Sequence, residues 1–416
     1  MTLPLSDIRI VDLTTVLSGP FGAMLLADQG ADVIKIEDPD GGDSARQSTP
    51  VPGTADLSIA FLAFNRNKRS VTLDITKPAG KEAAYRLCEW ADVLLINMRV
   101  DTRRRRGFTY EELAAKNPRL IYVSLTGYGD DGPGADLPGV DIVLQARIGD
   151  IEGRQQPGNP PPPHTRLYHF DMATSMLLAW AVTLALWERE RTGLGQKVEL
   201  SLLQTGLSLH AAQMTKVLGR DVRFPTRGAG TRSADGSGSP GINAGLAGGL
   251  RNLYLCGDGR YILNMFINTG PRWDSLCETL QLEGLATDPR FDTVEHRAQN
   301  TDAIAEVLSR HFLTRPAADW EAIFQAAGHT ASIVKEVEEV FDDPQVVANN
   351  MITQFKQPGL GEVMGVGRPF RMSSTADAPW LRRPAPHLGE HTDEVLSELG
   401  HSPEEIGALR AAGALG

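Results

Sequence analysis

The stretch Ile8–Glu37, IRIVDLTTVLSGPFGAMLLADQGADVIKIE, decides the fold class. Ile8–Leu13 is a short β-rich run. Gly19-Pro20 then opens a helical stretch, GPFGAMLLADQG, with the proline where its missing N–H is harmless. Ala31–Glu37 is the next strand. The alternation continues with Ser70–Ile75 (SVTLDI) as strand, Lys77–Trp90 as helix and Asp92–Ile96 (DVLLI) as strand. Tyr110–Lys116 follows as a short helix and Leu120–Leu125 (LIYVSL) as a strand. Short, mostly apolar strands separated by helices mean crossover connections, hence a parallel sheet covered on both faces. The expected class is α/β, with a Rossmann-like doubly wound parallel sheet.

Beyond this block a long helix runs from Asp171, DMATSMLLAWAVTLALWERERTG, apolar nearly all round and closed by Arg191-Thr192-Gly193. Such a helix packs inside the molecule or across a subunit interface. A strand–helix unit, KVELSLLQTGLSLHAAQM, comes next. Arg227–Gly249 is glycine- and serine-rich and reads as a loop rather than an element. Tyr254–Phe266 looks like two strands joined by a Gly-Asp-Gly turn, with helices around Trp273–Leu282, Asp302–Phe312 and Trp320–Ala327. The tail suggests a helix start at Asp343-Pro344, a strand near Pro369–Met372 and a terminal helix at Thr392–Gly400. The expected domains are therefore a large one from 1–205 and 340–416, a linker at 206–224, and a small α+β domain at 225–335.

The 416 residues carry a formal net charge of −11, which argues against a general binder of nucleic acid or of an anionic membrane. Cys88, Cys256 and Cys277 form no C-x-x-C pair, so neither a disulfide framework nor a zinc knuckle is indicated, and no metal is expected. MTLPLSDIRIVDL lacks the basic and apolar regions of a signal peptide. The longest uncharged apolar stretch, Met172–Trp187, falls short of the roughly 20 residues that span a bilayer. A cytoplasmic protein is expected.

Five features invite a chemical reading. Gly127-Tyr-Gly-Asp-Asp-Gly132 is a G-x-G-x-x-G after a strand, but two aspartates inside the loop would repel a pyrophosphate and no helical periodicity follows. Glu37 ends the first β-α-β like a ribose-binding acid, yet the turn before it lacks the glycine triplet. Asp171 opens an apolar helix, so it is either an N-cap or a carboxylate nucleophile held ionised by the helix end. Periodicity leaves both open. Arg103–Arg106 is either a solvated helix start or a phosphate clamp. His169 would share a face with Asp171 if that stretch is extended.

IRIVDLTTVLSGPFGAMLLADQGADVIKIE, GGDSARQ, FNRNKRSVTLDI, ADVLLINMR, RRGFTYEELAAKNPRLIYVSLTGYGDDGP, the Asp171 helix with its R-T-G-L-G-Q end and PAPHLGEHTDEVLSELG together resemble the class III CoA-transferases. That family includes formyl-CoA:oxalate and carnitine CoA-transferases and, more distantly, α-methylacyl-CoA racemases. The resemblance implies a Rossmann-like large domain, a small domain and an interlocked homodimer. It implies that Asp171 is the nucleophile, and that CoA is met by Val16, Leu17 and Ser18, by Leu73, Asp74, Ile75 and Thr76, by Asn97, Met98 and Arg99, and by Arg105. Gly245–Gly249 matches a glycine loop that closes over the site.

Formyl-CoA transferase has an arginine after the glutamate where this chain has Asp38. The CoA phosphates would then need Arg46, Lys68 or Arg69. Tyr128, Arg166, Tyr168 and His169 are candidates for reaching a small polar acid. The implied chemistry is transfer of CoA from an acyl-CoA to a carboxylic acid through an aspartyl anhydride and an aspartyl-CoA thioester, with CoA as substrate rather than a tightly bound cofactor. Two alternatives stand beside it: a 2-methylacyl-CoA racemase or epimerase, and a non-catalytic acyl-CoA-binding protein. The racemases use a histidine in a G-H-D segment; the match here is Gly139-Val140-Asp141, and valine carries no proton.

Overall fold

A computed structural model of the chain describes residues 2–153, 168–218, 253–264 and 270–416. Six parallel strands form the main sheet in the order β3-β2-β1-β4-β5-β6. They are β1 (Arg9–Leu13), β2 (Asp32–Glu37), β3 (Lys68–Thr72), β4 (Val93–Ile96), β5 (Ile121–Thr126) and β6 (Lys197–Ser201). Val11 pairs with Ile34 on one side and with Leu94 on the other, so the order reverses between β1 and β4. In doubly wound sheets ligands enter outside the carboxyl ends of the strands at this reversal.

Side-chain alternation along each strand feeds two cores. Val11, Ile34, Val71, Leu94 and Tyr122 meet α3 (Pro78–Trp90) on one face. Ile10, Val33, Leu95 and Val123 meet α1 (Ser18–Ala27) and α8 (His169–Thr192) on the other. The expected strand Ser70–Ile75 instead starts at Lys68, because Lys68, Arg69, Ser70 and Thr72 are buried despite their polarity. Lys68 is neutralised by Asp12, and Arg69 by Asp32 and Glu398.

Helix α8 is 24 residues long, enough by length and composition to cross a bilayer. One face is nonetheless committed to the sheet, where Leu178 and Val182 are fully buried, each side chain contributing about 1.5–3 kcal/mol. Gly193, with φ 75°, ends it in the left-handed conformation that the sequence anticipates. The opposite face, with Met176, Trp180, Leu184 and Trp187, stays exposed.

The chain divides into two compact units. One is built from Met1–Ile151, Pro163–His210 and Gln345–Gly416, the other from Glu152–Pro162 and Ala211–Pro344. The expected linker 206–224 begins inside α9 (Leu202–Leu209), whose Ser201 cap and apolar face carry the helix past 206. The second unit has an antiparallel sheet of β7 (Leu253–Leu255), β8 (Tyr261–Asn264) and β9 (Ala331–Ile333) around Trp273, Phe291, Phe312 and Trp320. In the tail of the first unit, residues 369–372 are not a strand. An antiparallel hairpin precedes them instead, β10 (Ile352–Gln357) and β11 (Gly361–Val366).

Candidate active site

The chain leaves β1 through Thr14–Leu17 and enters α1 at Ser18. This turn holds Val16 at φ 75°, a conformation a β-branched residue adopts only under constraint. The constraint is visible on every side. Thr15 exchanges two hydrogen bonds with the Asn97 amide, 3.1 and 3.0 Å. The Val16 N–H donates to Asp43 Oδ1 at 2.9 Å. Thr14 C=O accepts from the buried Lys35 ammonium at 2.6 Å.

Helices α1 and α8 start side by side because Gly22 has no Cβ; one there would lie 2.9 Å from Leu178 Cδ2. Their N-termini therefore meet, and the Ser18 hydroxyl donates to Asp171 Oδ1. Asp171 sits in the first turn of α8, after Tyr168 at the N-cap, so it does not cap its own helix. The cap comes from Asp141 at the start of α6 (Asp141–Arg147). Its Oδ2 accepts from Phe170 N–H at 2.8 Å and Asp171 N–H at 2.9 Å.

Gly127 and Gly139 make this reach possible: a Cβ on either would lie 2.6 Å from the other's Cα. The first glycine of the G-x-G-x-x-G thus serves close backbone packing. Asp130 within that loop is tied to Arg103 at 2.6 Å and Lys197 at 2.9 Å.

Burial pushes the Asp171 carboxyl up to about 6; the Ser18 hydroxyl opposes the rise and the nearby Asp141 charge adds to it. The group is therefore ionised at neutral pH but poorly solvated, which suits a carboxylate nucleophile. It faces a cavity of about 480 Å³ at the sheet's reversal point. The cavity is walled by Val16, Leu17, Ser18 and Asn97 on one side, and by Val140, Ile142, Tyr168 and Met172 on the other.

Of the residues singled out in the sequence, Asp171, Val16, Leu17, Ser18, Asn97 and Tyr168 meet at this cavity. Leu73, Asp74, Ile75, Thr76, Met98, Arg99 and Arg105 are not among its lining residues. Leu73 and Ile75 are buried in the core beside α3, with Met98 packed against it. Thr76 bonds Asp74. Arg99 starts α4 (Val100–Arg106), and Arg105 is exposed and paired with Asp101 at 2.9 Å.

The phosphate candidates are corrected: Arg46 is buried in a two-bond pair with Glu37, and Lys68 and Arg69 are engaged as above. The same pair removes Glu37 as a ribose acid. The 169–171 stretch is helical, not extended, and His169 Nε2 lies 3.7 Å from Asp150 Oδ2. Tyr128 stacks under Arg147, 5.0 Å from its guanidinium carbon. Arg166 and Gly245–Gly249 lie outside the described residues. Asp141 is the functional residue the sequence reading passed over. In the sequence it stands only as the end of the Gly139-Val140-Asp141 match, whereas in the fold its second oxygen serves a helix 29 residues on.

A family model described as CoA-transferase family III matches residues 5–392. The succinate–glutarate CoA-transferase of Agrobacterium fabrum is 33% identical over 403 residues, covering 95% of this chain and 96% of that protein. The formyl-CoA:oxalate CoA-transferase of Streptomyces avermitilis is 31% identical over 427 residues, covering 100% of both. A solved structure of a CAIB/BAIF family protein from Brucella suis matches with a TM-score of 0.81 at 30% identity, over 96% of this chain and 100% of that one.

Proposed function

The chain belongs to CoA-transferase family III, enzymes that act on CoA thioesters, and from that premise we propose that it moves CoA from an acyl-CoA to a carboxylic acid with Asp171 as nucleophile. The observation that carries this reading is the desolvated Asp171 carboxylate between two helix N-termini, facing a cavity at the reversal point of the sheet. The Asp171 carboxylate attacks the thioester carbonyl, the C–S bond breaks, and CoA thiolate leaves behind an acyl-aspartyl anhydride. The thiolate attacks the aspartyl carbon and expels the donor carboxylate, giving aspartyl-CoA. The acceptor carboxylate attacks that thioester, and the released thiolate takes the acceptor's acyl carbon, freeing Asp171. Every step exchanges one carboxyl derivative for another, and no proton is gained or lost.

Val16, Leu17, Ser18 and Asn97 would flank the thioester end of CoA. Leu73–Thr76, Met98, Arg99 and Arg105 would meet the remainder outside the cavity. Val140 lines the wall where a racemase needs a second acid–base group, which favours transfer over racemisation. Incubation with acyl-CoA and hydroxylamine, followed by peptide mass spectrometry, is expected to place a hydroxamate on Asp171. A hydroxamate on another carboxylate, or none with any thioester, would sink the assignment.

The exposed stripe Met176, Trp180, Leu184 and Trp187 on α8 supports the homodimer that the resemblance implies. Trp180→Glu is then expected to lower the dimer fraction in light scattering, whereas a parent protein that is monomeric at every concentration removes the dimer. The three cysteines are buried and unpaired, in keeping with a reducing cytoplasm.

A further inference from the structure

We propose that the Ser18 hydroxyl is a catalytic donor that steers CoA thiolate onto the aspartyl carbon of the acyl-aspartyl anhydride, and so carries the exchange forward. This rests on the reading of Asp171 as the nucleophile.

The argument starts from one bond. The Ser18 hydroxyl donates to Oδ1 of the Asp171 carboxylate. An oxygen that accepts a hydrogen bond gives up lone-pair density, so Oδ2 is the better nucleophile toward a thioester. Once Oδ2 has bonded to the acyl carbon, Oδ1 remains as the aspartyl carbonyl oxygen, with the hydroxyl still on it.

The anhydride then offers the thiolate two carbons. Attack on the acyl carbon only regenerates acyl-CoA. Attack on the aspartyl carbon forms the S–Cγ bond and places the negative charge on Oδ1. The bond from Cγ to the bridging oxygen then breaks, and its electron pair leaves with the donor carboxylate. Ser18 keeps its proton throughout. A hydrogen bond to an ionised oxygen is about twice as strong as one to a neutral oxygen, so this bond tightens only when the aspartyl carbon is attacked. The acceptor carboxylate, attacking aspartyl-CoA, raises the same charge on the same oxygen. The two attacks on acyl carbons place their charge elsewhere and gain nothing from Ser18.

Both ends of the bond are held by backbone, as stabilisation by a preorganised donor requires. Ser18 is the buried first residue of α1, at the end of the turn clamped by Asn97 and Asp43. The next residue, Gly19, packs so closely that a Cβ there would lie 2.3 Å from Thr14. Across the gap Asp141 holds the Asp171 N–H, and the Ser175 hydroxyl donates to the Asp171 carbonyl at 2.8 Å. Helix α1 does not need the Ser18 side chain, since its N-cap is Leu17. Alanine is the best helix former, so Ser18→Ala removes the donor and keeps the helix.

Hydroxylamine reads the choice of carbon. Caught at the acyl carbon, the anhydride gives a free acyl hydroxamate and restores Asp171; caught at the aspartyl carbon, anhydride or aspartyl-CoA gives the Asp171 hydroxamate. The probe is whichever of acetyl-, succinyl- and valeryl-CoA labels Asp171 fastest in the full-length parent. Ser18→Ala is expected to release at least about tenfold more acyl hydroxamate per Asp171 hydroxamate formed. Exchange of that acyl-CoA with its own isotopically labelled acid is expected to fall about 100-fold in kcat, the loss that follows removal of one oxyanion donor. Ser18→Thr keeps the hydroxyl and is expected to return the hydroxamate ratio to within about threefold of the parent.

An unchanged ratio in Ser18→Ala overturns the proposal whatever happens to the rate, and the Asp171 hydroxamate then leaves the nucleophile reading standing. A ratio in Ser18→Thr that stays at the alanine value overturns it too, because the hydroxyl is what the proposal requires. No Asp171 hydroxamate in the parent from any of the three thioesters overturns the reading beneath it and the proposal with it.

Discussion

An Asp171→Asn enzyme is expected to lose CoA transfer by at least about 10⁴-fold, the scale seen when a covalent nucleophile is removed, and yet to be more stable than the parent at pH 8. Both effects come from one carboxyl. Asparagine fills the same space and still accepts from Ser18, but it cannot form an anhydride. The stability gain follows from the raised proton affinity. The folded carboxyl titrates near 6 against 3.8 in the unfolded chain, because burial and Asp141 disfavour its charge. The folded state therefore binds the proton more tightly. Its penalty is absent below about pH 4, builds between 4 and 6, and is complete above 6. At about 1.4 kcal/mol per pH unit this reaches about 2–3 kcal/mol. Thermal unfolding of the two proteins is expected to differ at pH 8 and to converge at pH 4. The parent's kcat/KM should be level above about pH 7 and fall tenfold per unit below about 6. An Asn variant no more stable than the parent at pH 8 would mean that Asp171 is well solvated.

The residues that misled the reading are informative. The alternation of strand and helix was legible because parallel strands buried on both faces need continuous apolar runs, as in DVLLI and LIYVSL. It failed at β3, where Lys-Arg-Ser looks like a polar flank. Partners hundreds of residues away, Glu394 and Glu398 for Arg69, make that flank interior. The same blindness offered Arg46, Lys68 and Arg69 as phosphate binders. A cation's availability depends on what lies opposite it in space, and sequence spacing does not carry that. The β10–β11 hairpin was missed because its strands are largely exposed and broken by Gly361 and Gly365, so no apolar alternation marks them. Asp171 itself is singled out through resemblance. Local pattern offered an N-cap, and the cap proves to be Asp141.

Lys35→Met is expected to destabilise the protein by about 3–5 kcal/mol, a fall of roughly 10 °C in unfolding temperature, and to reduce kcat as well. Burial alone would lower the proton affinity of Lys35, but Asp43, Asp12 and Glu37 raise it above the ordinary lysine range. Its ammonium lies 2.9 Å from Asp43 Oδ2, and both side chains are wholly buried. Burial alone would likewise push Asp43 up, and the Lys35 charge is what brings its carboxyl below the usual carboxylate range. Methionine matches the length of lysine, so the loss is one of charge, leaving Asp43 buried without its cation. The catalytic consequence follows from geometry. Asp43 Oδ1 accepts from Val16 and Ala45 N–H, and the Thr14 carbonyl also loses its donor. The left-handed Val16 is then free to relax, and the turn that aims Ser18 at Asp171 relaxes with it. Adding Asp43→Asn to Lys35→Met removes the orphaned charge. The double variant is therefore expected to recover part of the stability without the kcat, since an amide cannot replace the ion pair that fixes the turn. A Lys35→Met protein with unchanged kcat would show that the Asn97 bonds alone hold Val16 in place, and that the buried charges beneath the site serve the fold and not the chemistry.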